Sequence, residues 1–225
     1  MPKRRSACAR RRRIDSQDTS ARRGALVLAG GHSTRFGERD KVLAELAGVP
    51  LVRRVAERLA ALDEIVVSCR ADQTAAIERA LSGMEFRYVE DPDPDGGPLV
   101  GVRAGLRALG TDYAAVVAAD MPFVDPELVA FLFARAAGHD AAVPRYDGWL
   151  QPTQAVYRTN AMADACAVAF SCGERELRAA LDALDHVVVT AEEIQKHADS
   201  RTFTNLNTRR EFAAAERALE TDDCS

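Results

Sequence analysis

The sequence predicts an α/β fold: a doubly wound, mostly parallel sheet in three α/β/α layers, with a small mixed edge. Three observations carry this. From residue 24 onward, short apolar runs alternate with longer stretches at helical spacing. Residues 113–119, YAAVVAA, are apolar almost without break, as expected of a strand covered on both faces. Loops rich in Gly, Asp and Pro follow several of the apolar runs, at the strand ends where a parallel sheet collects its ligands.

The elements follow in order. Residues 25–28, ALVL, read as the first strand. After Pro50, residues 51–62 place Leu51, Val55, Leu59 and Leu62 on one helical face. EIVVSC, 64–69, is the second strand, and 71–81 a helix closing near Gly83. FRYVE, 86–90, is the third strand, followed by an Asp/Pro/Gly loop and a helix over 99–109 that ends at Gly110. After the strand at 113–119, Asp125 caps a helix over 126–137, with Pro126 at its first position. Each parallel crossover is expected to be right-handed. Further on, DAAVPR (140–145) and TQAVY (153–157) read as strands around a turn at Asp147 and Gly148. Residues 161–170 and 174–184 read as helices, HVVVT (186–190) as a strand and 209–219 as a closing helix. No repeat or linker splits residues 24–225, so they are expected to form one domain, its mixed edge covering the candidate site.

At 225 residues the chain is long enough to bury a core without disulfides or metals. No apolar run approaches the roughly 20 residues that span a bilayer. Charge is uneven. Residues 1–23 hold nine basic and two acidic residues, a net of +7; the rest hold 21 basic and 32 acidic, a net of −11. Such a basic, weakly apolar arm is expected to be disordered. The five cysteines form no C-x-x-C pair and the four histidines show no ligand spacing, which argues against a disulfide framework or a zinc site.

The chemistry concentrates in four loops. In LAGGHSTRFGERDK, residues 28–41, Gly30 and Gly31 let the backbone approach closely, so that N–H groups can face phosphate oxygens. Arg35 and Lys41 add fixed positive charge suited to a pyrophosphate. The spacing is neither that of a P-loop nor the G-x-G-x-x-G of dinucleotide folds. In VEDPDPDGGPLVG, residues 89–101, Gly96, Gly97 and Pro98 set up a helix start suited to an anion. Asp91 stands at the strand end, placed for a ribose hydroxyl or a metal; read alone, the segment is better taken as a surface turn. Asp120 ends an apolar strand, and Mg²⁺ favours one or two carboxylates plus phosphate oxygens. Because Asp125 takes the capping role, Asp120 is left for chemistry. In FTNLNT, residues 203–208, Asn205 and Asn207 alternate with apolar residues and share one face. They suit a phosphate, a heterocycle or a metal-bound water; read alone, the segment is better taken as a cap for the next helix. Together these loops suit attack on a nucleoside triphosphate with pyrophosphate leaving, which needs positioning and charge neutralisation rather than a covalent nucleophile.

LAGGHSTRFGERDK resembles the signature of nucleotidyltransferases with a Rossmann-like α/β fold. GGPLVG, DMPFVDP, QPTQAVY, GERE and FTNLNT, in this order, resemble the molybdenum cofactor guanylyltransferase family of the MobA type, over about residues 24–219. The resemblance implies transfer of GMP from Mg²⁺-bound GTP to the phosphate of molybdenum-loaded molybdopterin, giving the guanine dinucleotide cofactor and pyrophosphate. It implies that Leu28, Ala29, Gly30 and Gly31 contact the nucleotide, with Asp91 near the nucleoside. Arg35 and Lys41 would hold the triphosphate and Asp120 would bind Mg²⁺, these three forming the catalytic set. Arg175, Asn205 and Asn207 would face the pterin. A cytoplasmic location and proteins that deliver or accept the cofactor are also implied, with no membrane and no nucleic acid as partner. Ser68 departs from the family pattern, since relatives often carry Asn near the base. The alternatives are a cytidylyltransferase on the same pterin, an enzyme acting on another phosphorylated acceptor, or a nucleotide-sensing module that releases no pyrophosphate.

Overall fold

The computed structural model describes residues 21–31, 40–93 and 95–222. The first strand, β1 (Arg23–Leu28), leads to a 3-10 turn at Lys41–Leu43 and a small antiparallel hairpin of β2 (Glu45–Leu46) and β3 (Val49–Pro50). Ala47 and Gly48 turn this hairpin with φ of 48° and 74°, the pair of positive values that a two-residue hairpin turn demands. Then come α1 (Leu51–Arg58), β4 (Glu64–Cys69), α2 (Thr74–Ala80), β5 (Arg87–Glu90), α3 (Pro98–Ala108), β6 (Tyr113–Ala118) and α4 (Pro126–Ala136). The second half holds β7 (Ala141–Tyr146), β8 (Trp149–Leu150), β9 (Gln154–Arg158), α5 (Thr159–Ser171), α6 (Leu177–Leu181), β10 (His186–Val189), α7 (Ala191–Ile194) and α8 (Arg209–Asp222).

The main sheet runs β5-β4-β1-β6-β9-β7-β10, with β8 pairing the end of β7. β5, β4, β1 and β6 are mutually parallel, and β10 is parallel to β7. β9 runs against both of its neighbours. The chain thus winds outward from β1 through β4 to β5, then crosses to β6 on the other side of β1. The crevice at the carboxyl ends of β1 and β6 is the topological switch point.

Period-two alternation along the strands separates two cores. Ala25, Val27, Val67 and Val117 face the layer of α1, α2 and α4, packing with Val55, Ile77 and Leu132. Leu26, Val66, Val116 and Tyr157 face the layer of α3, α5 and α6, packing with Leu106, Met162 and Leu181. A satellite cluster of Leu46, Leu51, Leu206, Phe212 and Ala215 seats α8 on the β2–β3 hairpin.

The architecture is the three-layer, mostly parallel one expected, with two differences in detail. The antiparallel strand β9 lies inside the sheet, between β6 and β7, instead of at an edge. Strand β1 begins at Arg23, within the span assigned to the arm. Arg22 N donates to Asp112 Oδ2 at 2.9 Å, and Arg23 N donates to Asp63 Oδ2 at 2.8 Å. The predicted turn at Asp147 and Gly148 is present, with φ of 49° and 79°, but it pairs β7 with the short β8 before β9 begins.

Candidate active site

A cavity of about 360 Å³ opens at the switch point, bordered by Leu28 at the end of β1 with Gly30 and Gly31 beyond it, Ser68 near the end of β4, and Ala118 at the end of β6 with Asp120 beyond it. Backbone bonds fix this rim. Ala29 N donates to Ser68 O at 2.7 Å, Ala119 N to Leu28 O at 2.9 Å, and Asp91 N to Cys69 O at 2.7 Å. Each strand end is thereby tied to its neighbour's, as the parallel register requires.

At the centre, Lys41 Nζ donates to Asp120 Oδ2 at 2.6 Å and to Asn207 Oδ1 at 2.7 Å. Lys41 opens the 3-10 turn that follows the glycine-rich segment, Asp120 follows β6, and Asn207 precedes α8. Leu206 anchors the last of these: its N–H donates to Asp120 O at 3.0 Å and its side chain is fully buried. Asn207 is held by its backbone, because Glu211 Oε2 accepts from Asn207 N at 2.6 Å and from Thr208 N at 2.8 Å. Thr208 Oγ1 accepts in return from Glu211 N, a reciprocal helix cap. These backbone bonds, that from Asn207 first, hold the Glu211 carboxyl below its ordinary 4.5.

The opposite wall belongs to Asp91. The strand end places its carboxylate beside Gly30 and Gly101: a Cβ on Gly101 would stand 3.0 Å from Asp91 Oδ2 and 3.1 Å from Ser68 Oγ. Partial burial pushes the Asp91 carboxyl above its ordinary 3.8, against the lowering pull of Asp93 N–H at 3.1 Å. Gly97 caps α3 with φ of 78° while Pro98 takes the first helical position. A side chain at Gly97 would also meet Arg175 O at 2.9 Å, so glycine is required there twice over.

The structure brings Leu28, Gly30, Gly31, Lys41, Asp91 and Asp120 to one cavity and sets Asn207 against Lys41. Ala29 is buried behind them. Asn205 is exposed on the same segment as Asn207, across the buried Leu206. Arg175 stands on the α3 side, where its guanidinium lies over the Phe170 ring at 4.5 Å and its backbone abuts Gly97. Arg35 lies outside the described residues, as do His32 and Gly37. Several contributors were not singled out from sequence. Thr153 lines the cavity because β9 enters the sheet at the carboxyl end of β6; Thr153 O accepts from Ala118 N, and the buried Tyr157 hydroxyl donates to Pro152 O at 2.7 Å. Asp40, Arg70 and Gln73 interlock behind the glycines. Cys69, beside them, is an inert thiol, pushed up to about 11 by burial.

A metal at this site would have to be held chiefly by Asp120. Among the described residues no group of three or more His, Cys, Asp or Glu side chains stands ready for one. Asp120 Oδ2 is taken by Lys41, and Oδ1 carries no hydrogen bond among the described residues. One open carboxylate oxygen fits Mg²⁺, which takes most of its remaining ligands from water and phosphate. No helix among the described residues is long and apolar enough to cross a membrane.

A family model described as the MobA-like NTP transferase domain matches residues 25–198. A probable molybdenum cofactor guanylyltransferase of Natronomonas pharaonis is 46% identical, covering 88% of this chain and 98% of the relative. A molybdenum cofactor guanylyltransferase of Pseudomonas putida is 38% identical over 69% of this chain and 80% of its own length. Among solved structures, the molybdopterin-guanine dinucleotide biosynthesis protein A of Archaeoglobus fulgidus superposes with a TM-score of 0.74 at 30% identity, covering 88% of this chain and 99% of that one. A 4-diphosphocytidyl-2C-methyl-D-erythritol synthase of Anaerococcus prevotii gives 0.71 at 14% identity over 89% and 99%, a likeness of fold alone.

Proposed function

The chain belongs to the MobA-like NTP transferase family, and from that membership we propose that it is a molybdenum cofactor guanylyltransferase. An oxygen of the terminal phosphate of molybdopterin attacks the α-phosphorus of GTP. The bond from the α-phosphorus to the bridging oxygen breaks, and pyrophosphate leaves with that electron pair. The products are the guanine dinucleotide cofactor and pyrophosphate.

The observation that supports this reading is the Lys41–Asp120 pair at the switch point, facing a cavity whose far wall is Asp91 and Ser68. A cation and a carboxylate side by side suit a triphosphate together with its counter-ion, and a molecule that only sensed a nucleoside would have little use for the carboxylate. The N–H groups around Gly30 and Gly31, with Lys41, bind the triphosphate. Asp91 and Ser68 take the nucleoside side. Asp120 holds Mg²⁺, which supplies charge neutralisation at the phosphates. Asn207, with Asn205, orients the acceptor, and Arg175 borders the α3 side. Arg35 adds a second cation. We infer a cytoplasmic location and partner proteins that supply or receive the cofactor.

The test is pyrophosphate release with Mg²⁺ and molybdenum-loaded molybdopterin, run in parallel with GTP, CTP, ATP and UTP. Release with GTP alone is expected. Release with CTP instead would move the chain to cytidylyl transfer, and nucleotide binding without release would leave a sensor.

A further inference from the structure

The cavity's most basic strand-end neighbour, Arg70, is positioned as a phosphate ligand would be, directly after β4 and beside Gly31, yet its guanidinium is committed elsewhere. Arg70 Nη2 donates to Asp40 Oδ2 at 2.9 Å and Nη1 to Gly31 O at 3.2 Å. Its Nε donates to Asp72 Oδ1 at 3.0 Å. The buried Gln73 completes the arrangement: its amide donates to the same Asp40 Oδ2 at 2.6 Å and to Ala29 O at 3.1 Å, while its Oε1 accepts from Arg70 N at 2.8 Å. The carbonyls of Ala29 and Gly31, on the near side of the glycine-rich segment, are thus tied to the carboxylate of Asp40, on its far side. Asp40 O in turn accepts from Leu43 N at 3.1 Å and opens the turn that carries Lys41.

Resting on the guanylyltransferase reading, we propose that Asp40, Arg70 and Gln73 form a positioning clamp that sets the separation between the Gly30–Gly31 backbone and Lys41 Nζ, so that both reach one triphosphate. The three residues touch no substrate. A polyphosphate is gripped well only when its donors are pre-spaced, because each donor left free to wander costs ordering entropy on binding. Arg70 and Asp40 are both largely sheltered, with side chains 15% and 17% exposed, so the pair is less screened than a surface ion pair. Asp40 Oδ1 is buried without a partner among the described residues, which leaves the charge of the carboxylate resting on Arg70 and Gln73.

The test compares Asp40→Asn, Arg70→Gln and the double variant. Its readouts are equilibrium binding of a non-hydrolysable GTP analogue, steady-state KM for GTP and for molybdopterin, and thermal melting. A clamp predicts that each single change weakens analogue binding and raises KM for GTP by roughly ten- to hundredfold, the loss of one charge-assisted bond. KM for the pterin should stay within about twofold. The double variant should be no worse than the poorer single one, since both break one unit. Asp72→Asn, which removes only the exposed partner of Arg70, should change little. If Arg70 were a phosphate ligand, Asp40→Asn would free it and leave GTP binding equal or tighter; that outcome, or additive losses, overturns the clamp. Asp40→Asn is isosteric, so a melting point near that of the unaltered chain separates misplacement from misfolding. A chain that binds the analogue but releases no pyrophosphate overturns the functional reading, while the binding ratios still decide the clamp.

Discussion

Lys41 Nζ lies 2.6 Å from Asp120 Oδ2, and the two residues come from segments 79 positions apart. One ammonium therefore joins the glycine-rich segment to the end of β6, and through Asn207 to the segment before α8. Asp120→Ala and Lys41→Ala should each lower kcat by about 10²- to 10³-fold, the scale for removing one electrostatic contact to a transition state. Lys41→Ala should also raise KM for GTP. Their side chains are 13% and 18% exposed, as sheltered as the Arg70–Asp40 pair, so each variant should also melt somewhat lower while staying folded. Steady-state kinetics beside thermal melts check this; a normal rate in either variant would remove that residue from the reaction.

Asp91 links the site to pH. Its folded-state carboxyl is raised above the ordinary 3.8 by burial, so the folded chain binds its proton more tightly than the unfolded one. The cost of ionising it is absent below pH 3.8 and grows as pH rises through the folded-state value. Asp91→Asn should therefore melt at a higher temperature than the unaltered chain at pH 7, the gain shrinking toward pH 3.8, while GTP binding weakens. Melts from pH 4 to 8 check the sign.

The cap of α8 behaves in the opposite sense. Glu211 titrates below its ordinary 4.5, so its contribution is present above pH 4.5 and is lost as pH falls through the lowered value. Thr208→Ala should cost about 1 kcal/mol, the usual loss of a helix cap. Glu211→Gln should reduce kcat/KM as well, because the carboxylate fixes the backbone of Asn207. Urea unfolding at pH 7 and pH 4 reads the first effect and kinetics the second.

The arm offers a boundary test. Removing residues 1–20 should leave kcat/KM and melting temperature unchanged. Removing 1–23 should lower the melting temperature, because Arg22 O accepts from Asp112 N at 3.0 Å and Arg23 opens β1. Equal stability of the two truncations would contradict the strand boundary.

Much of this molecule was legible in the sequence where one physical signal dominated. The strand at 64–69 and the caps at Asp125 and Gly97 coincide with the structure, because apolar alternation and the Pro and Gly positions fix them locally. The meeting of Lys41, Asp91 and Asp120 at one cavity was readable because a parallel sheet gathers the segments after its strands at one crevice. The clamp was not. Arg70 and Gln73 are three residues apart and share a local bond, but Asp40 is some thirty residues away and only the folded chain brings it to them. Thr153 escaped for a similar reason: the direction of β9 depends on long-range pairing with β6, which its five residues do not announce. The β2–β3 hairpin was hidden because Ala47 takes a positive φ that sequence rules assign to Gly or Asn.

The reversed direction of β9 also bears on how such a chain diversifies. A strand running with its neighbours would present its following loop to the crevice; β9 instead presents the short connection before it, from Gln151 to Thr153 after β8, anchored by Tyr157 to Pro152. Changes of length or composition in that connection reshape one wall of the crevice while Lys41 and Asp120 keep their places on other segments. On the proposed reading, selection could explore new acceptors through one short stretch of chain, leaving the segments that carry Lys41 and Asp120 unaltered.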